Sequence, residues 1–135
     1  MKALSTVILV LIICSTITGC KKEKSNIPQF QFITGTGYTS SNATVAAGQR
    51  YTIGFTAIQP ENGDALKEIK GSYTVNDSTG IMAGFDYDLT NSPNTFNTTS
   101  TYFAPDNTGD TYNYTFILHT TGEGTRTLKI SITAI

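Results

Sequence analysis

Two cysteines, one histidine and ten carboxylates are what this chain has for acting on a substrate or holding a metal. Nucleophilic catalysis needs a base beside an activated thiol or hydroxyl. His119 falls on the polar side of an alternating stretch, remote in sequence from Cys14 and Cys20, and reads as a solvated strand residue. A closed zinc site needs several Cys or His ligands, which one histidine cannot supply. Asp86 and Asp88 share a strand face roughly 7 Å apart, a spacing that formally suits a glycosidase pair. Such a pair needs one carboxyl raised by burial, and these lie opposite Phe85, Tyr87 and Leu89, so they read as a solvated face. Calcium takes six to eight oxygens, often from loop Asp and Asn. Asp106, Asn107 and Asp110 cluster in one turn and Asn76 and Asp77 in another. Neither spacing is that of an EF-hand, and both residue types are ordinary turn formers. Tyr38, Tyr102 and Phe103 fall outside the regular apolar alternation and are expected at the surface, where they can stack on sugar rings. The alternative for them is edge packing or loop anchoring.

The elements that must carry these residues read as strands. Tyr51, Ile53, Phe55 and Ala57 alternate with polar or small neighbours, as do Ile69, Gly71, Tyr73 and Val75. Ile81, Ala83, Phe85, Tyr87 and Leu89 follow, then Tyr112, Tyr114, Phe116 and Leu118, then Leu128, Ile130, Ile132 and Ala134. Period-two alternation of this kind marks half-buried strands. Phe30 and Phe32 start an edge strand, and Thr95 to Phe103 is a Thr-rich strand of weaker phase. Turns fall at Gln59 to Asp64, Asn76 to Gly80, Asn91 to Asn94, Pro105 to Asp110 and Thr121 to Gly124. Ala65 to Ile69 has helix-like spacing, but the run is too short to carry a helix. Seven strands at such spacing predict an all-β, antiparallel two-sheet sandwich. Formal charge is −1, and the basic residues gather only at Lys21, Lys22 and Lys24, so nucleic acid is not an expected partner. No cofactor is expected.

The N-terminus has a separate logic. Lys2 precedes an almost wholly apolar run from Ala3 to Ile13, short of the roughly 20 residues a spanning helix needs. Small and polar residues then lead to Ile17-Thr18-Gly19-Cys20. This arrangement resembles a bacterial lipoprotein signal peptide with its lipobox. The resemblance implies a signal helix over 1–19, cleavage after Gly19 and diacylglyceryl and acyl (palmitate-type) lipid on Cys20. Cys14 is the rival site, but Ile13 precedes it and its apolar run is shorter. Two or three chains hold a protein on a membrane stably where one does not. Residues 20–28 form a polar tether, and 29–135 has the length of one domain. With Cys20 lipidated, the mature chain has no thiol for a disulfide.

The last two strands carry a second resemblance. Asp106 to Phe116, a glycine hairpin and Thr127 to Ile132 look like the F and G strands of immunoglobulin-like (Ig-like) domains. With Thr36-Gly37-Tyr38-Thr39 and Val45-Ala46-Ala47-Gly48, they are similar to small Ig-like lipoproteins of Bacteroidota. Tyr112 would match the tyrosine-corner position and Tyr114 the place of the second cysteine. The resemblance implies a lipid-anchored, non-catalytic envelope protein with a binding, adhesion or scaffolding role, on the outer membrane. The alternative is a carbohydrate-binding accessory of a glycan-uptake system. Asp77-Ser78-Thr79 resembles the O-glycosylation motif of exported Bacteroidota proteins, which makes Ser78 a modification candidate.

Overall fold

The structure, a computed structural model, describes residues 27–61, 63–78 and 86–135. Residues 1–26, with the expected signal helix, Cys14 and Cys20, lie outside the described residues, as do Thr79 and the Ile81–Phe85 part of the fourth expected strand. Among the described residues there are eight strands and no helix, hence none long and apolar enough to cross a membrane. They are β1 (Gln29–Phe32), β2 (Ala43–Val45), β3 (Arg50–Ile58), β4 (Leu66–Val75), β5 (Asp86–Asp88), β6 (Thr95–Phe103), β7 (Thr111–Thr120) and β8 (Thr125–Ala134). Two sheets form, ordered β1-β3-β6 and β2-β8-β7-β4-β5.

Alternation does the sorting. On β3, Tyr51, Ile53, Phe55 and Ala57 are buried while Thr52 and Thr56 stay partly open. Tyr114, Phe116 and Leu118 on β7 and Ile130, Ile132 and Ala134 on β8 do the same for the second sheet. Each strand thus shows one apolar face, and the two sheets close those faces on each other. Phe55 and Phe116 meet across the gap with ring centres 4.9 Å apart, and Phe30 and Phe32 abut them edge-on at 5.8 and 6.2 Å. Fully burying one such ring is worth about 1.5–3 kcal/mol.

Two expectations need correction. The sheets are not wholly antiparallel, because β2 pairs in parallel with β8, Ala43 opposite Ile132 and Val45 opposite Ala134. Chain reversal is not needed there, since residues 33–42 carry the backbone from the β1 sheet to the far edge of the other sheet. That short strand is also why eight strands stand where seven were expected. The second correction concerns β6. Its phase puts Phe96, Thr98, Ser100 and Tyr102 inward and Thr95, Asn97, Thr99, Thr101 and Phe103 outward. Consecutive strand residues face opposite ways, so Tyr102 and Phe103 cannot share the surface.

The chain enters the sandwich at one end. Pro28, expected to close the tether, is fully buried, and its carbonyl accepts from Arg126 Nε at 3.3 Å. The 59–65, 89–94 and 121–124 turns share this end. In the last of them Gly122 lies against Asp64, whose exposed carboxylate would have to swing away to admit a Cβ there. The turns at 46–49, 76–78 and 104–110 lie at the other end, about 30 Å away by the length of a ten-residue strand.

Candidate functional site

At the far end the two oxygen-rich turns come together. Val75 to Ser78 closes with the Ser78 N–H on the Val75 carbonyl, and Asn76 and Asp77 take the left-handed region at φ 47° and 59°. Asn and Asp tolerate that region better than other side chains. Asn76 then reaches the neighbouring turn. Its Nδ2 donates to Asp110 Oδ1 at 2.7 Å, and its Oδ1 accepts from the Thr111 N–H at 2.8 Å. Asn107 Nδ2 donates to Asp110 Oδ2 at 3.1 Å, and Asn113 Nδ2 donates to Asp77 Oδ1 at 3.2 Å. The amides of Asn76 and then Asn107 hold the Asp110 carboxyl below its ordinary value. Both Asp110 oxygens are therefore engaged by N–H donors, where a cation's neighbours would be oxygens. Among the described residues no group of three or more His, Cys, Asp or Glu side chains gathers as a metal site. Ser78 is exposed on this turn, its Oγ donating to the Val75 carbonyl at 2.6 Å.

Behind this end lies a cluster of phenols between the sheets. Tyr51 of β3 and Tyr114 of β7 share a hydroxyl–hydroxyl hydrogen bond of 2.5 Å. Tyr102 packs on both, its ring centre 5.8 Å from Tyr51 and 5.3 Å from Tyr114. Burial pushes the Tyr51 phenol up to about 12, against a smaller opposing effect of the Tyr114 hydrogen bond. Burial likewise raises Tyr102 and Tyr114, the latter further through its bond to Tyr51. These phenols stay neutral in any physiological medium and serve as hydrogen-bonding core, not as bases. Tyr102 thus leaves the surface set expected of it. Tyr112 is half-buried beside Tyr73, with ring centres 5.0 Å apart.

The other sequence candidates scatter. Asp86 and Asp88 are exposed on β5 opposite Lys70 and Glu68. Asp88 accepts from the Thr90 hydroxyl and N–H, which hold its carboxyl below the ordinary value. A general acid needs the opposite shift. His119 on β7 is half-buried, in register with Glu68 and Thr125. Tyr38 and Phe103 are 38% and 55% exposed, and Arg50 stands over the Phe103 ring at 5.2 Å from its centre.

The two outer faces differ in chemistry. That of the five-stranded sheet carries Glu68, Lys70, Asp86, Asp88, His119 and Lys129, with Lys70 and Glu68 paired at 3.4 Å. In β1, β3 and β6, Arg50 is the sole charged residue. Neither this asymmetry nor the Tyr51–Tyr114 bond was foreseen, because both depend on which strands share a sheet. The uncharged run from Thr95 to Phe103 was the signal available for the first. No protein-family model and no curated protein matches this chain, so its functional reading rests on its own residues and geometry.

Proposed function

We propose that this chain is a lipid-anchored, Ig-like binding module of a bacterial cell envelope, held on the outer membrane through Cys20 and non-catalytic. The observation that carries the Ig-like reading is the division of the first strand between the sheets. β1 pairs antiparallel with β3, and β2 then pairs in parallel with β8 on the opposite sheet. Ig-like sandwiches set two antiparallel sheets face to face, and antibody domains join strands B and F of those sheets by a conserved bridge. Here β3 and β7 take those places, and the Tyr51–Tyr114 hydroxyl pair spans the gap where antibody domains have a disulfide. That substitution suits a chain whose mature thiol is lipidated.

The anchor reading rests on the N-terminal pattern. The chain enters at Pro28, so the tether reaches the sandwich at the end with the 59–65, 89–94 and 121–124 turns. Such a module acts by holding a partner near the membrane, which needs an exposed surface more than a cleft.

Labelling growing cells with radioactive palmitate tests the anchor. The wild-type chain takes up label and is processed to begin at Cys20, and Cys20→Ala does neither. Label retained by Cys20→Ala would overturn the assignment. Protease treatment of intact cells then separates the two faces of the membrane, a degraded chain meaning surface display and a protected one a periplasmic position.

A further inference from the structure

The outer face of the three-stranded sheet holds chemistry that neither the core nor the anchor uses. Its exposed positions on β6 are Thr95, Asn97, Thr99, Thr101 and Phe103. Cross-strand partners on β3 line up beside them in register, Thr52 with Thr101, Gly54 with Thr99 and Thr56 with Asn97. Thr52 and Thr101 hydroxyls lie 3.3 Å apart, and Thr56 Oγ1 donates to Asn97 Oδ1 at 2.7 Å. At the end of this rail Phe103 stays 55% exposed with the Arg50 guanidinium on its ring. On the other side of β3, the turn bearing exposed Tyr38 is tied down by the Thr39 N–H to the Thr52 carbonyl at 2.8 Å. The two exposed rings therefore flank the Arg50–Thr52 stretch from opposite sides.

We propose that this face binds a neutral glycan chain, with Phe103 as the stacking platform and the hydroxyls and amides of β3 and β6 as its hydrogen-bonding rail. Sugar hydroxyls both donate and accept, and Thr hydroxyls and the Asn side chain do the same. Asn97 accepts with Oδ1, which leaves its Nδ2 as the donor toward a ligand. The C–H edges of a pyranose ring present apolar surface to an aromatic face, and Phe103 offers one. Charge argues the same way. One cation on the whole face suits a neutral ligand, whereas an anionic polymer would call for a basic strip. Size decides between a glycan and a second protein chain. Two nine-residue strands and the four-residue β1, about 4.8 Å apart, make a strip of about 350 Å², less than half of what each partner buries in a stable protein pair. Such a strip is long and narrow, which is the shape of an extended oligosaccharide.

The test is calorimetric titration of the full chain, solubilised in detergent, with neutral gluco-, manno- and xylo-hexaoses. Sulfated and uronate-containing oligosaccharides serve as anionic probes. At least one neutral hexaose binds, and its affinity falls at least tenfold in Phe103→Ala and in Asn97→Ala. Lys70→Ala, on the opposite sheet, leaves affinity unchanged, and melting temperatures show that all three variants stay folded. The proposal is overturned if no neutral hexaose binds, if binding survives both rail variants, or if only the anionic probes bind. A concentration-dependent dimer of the wild type, broken by Thr99→Asp, would overturn it in favour of a second copy on this face. Because binding is read in detergent, its outcome is independent of where Cys20 places the protein.

Discussion

The Tyr51–Tyr114 contact shows what one polar pair does inside a core that is otherwise closed to water. The sequence puts both side chains on apolar faces, and both are buried. Their meeting was not legible, because alternation tells which face a residue takes but not which residue it faces across the gap. Removing one hydroxyl leaves the other buried without its partner, at a cost of about 1–3 kcal/mol, whereas removing both can be nearly neutral. Tyr51→Phe and Tyr114→Phe should therefore each lower stability in urea unfolding by about that amount, and the double variant by less than their sum. An additive cycle would mean that the hydroxyls do not interact. The same pair sets an alkaline limit. An unfolded tyrosine titrates near 10, and burial holds Tyr51 at about 12 when folded. Below pH 10 both states keep the proton and this contribution is fully present. Between pH 10 and 12 only the unfolded chain gives the proton up, so stability falls as pH rises. The melting temperature should decline across that window, and less steeply in the double phenylalanine variant. At Asp110, where both carboxylate oxygens accept amide N–H bonds, added calcium or chelator should leave the melting temperature unchanged. A calcium-dependent rise would signal native-state binding there.

Strand phase governs most of what happens at the scale of elements. β3, β7 and β8 were legible because each alternates apolar with polar or small residues, broken only at Ile117. β6 was not, since threonine suits either face of a strand and gives alternation no sign. Its phase is set by the residues that flank the threonines. Phe96 and Tyr102 are both even-numbered and pack inward, which sends Phe103 out. β2 escaped notice for another reason. Three residues are too few to show a period, and its partner is the last strand of the chain, so no local hairpin announces it. A pair of neighbouring substitutions tests the phase of β6. Ser100 points inward and shares a 2.7 Å hydrogen bond with the Tyr87 hydroxyl, so Ser100→Asp buries a charge between the sheets. It should cost at least about 3 kcal/mol in denaturant unfolding, while Thr99→Asp on the open face costs about 0.5 kcal/mol or less. Equal losses would show that the strand does not sit in this register.

For the whole molecule, the class of fold was readable and the parallel strand was not. The candidate site was readable only in fragments. Asn76, Asp77, Asp106, Asn107 and Asp110 could be picked out as turn residues, but their convergence at one end depends on β4 and β7 lying side by side. Tyr38 and Phe103 could be picked out as surface aromatics, but the neutral face between them emerges only when β3 and β6 pair. The chain enters the sandwich at Pro28, at one end, and the Asn76–Asp110 turns lie about 30 Å away at the other. On the reading proposed above, lipid on Cys20 gives the module its address. Intact mass spectrometry of the chain extracted from membranes tests this most directly. The expected product is a polypeptide that begins at Cys20 and carries diacylglyceryl on its thiol with an acyl chain on its amino group. A chain that retains residues 1–19, or one cleaved elsewhere with Cys20 as a free thiol, would contradict it.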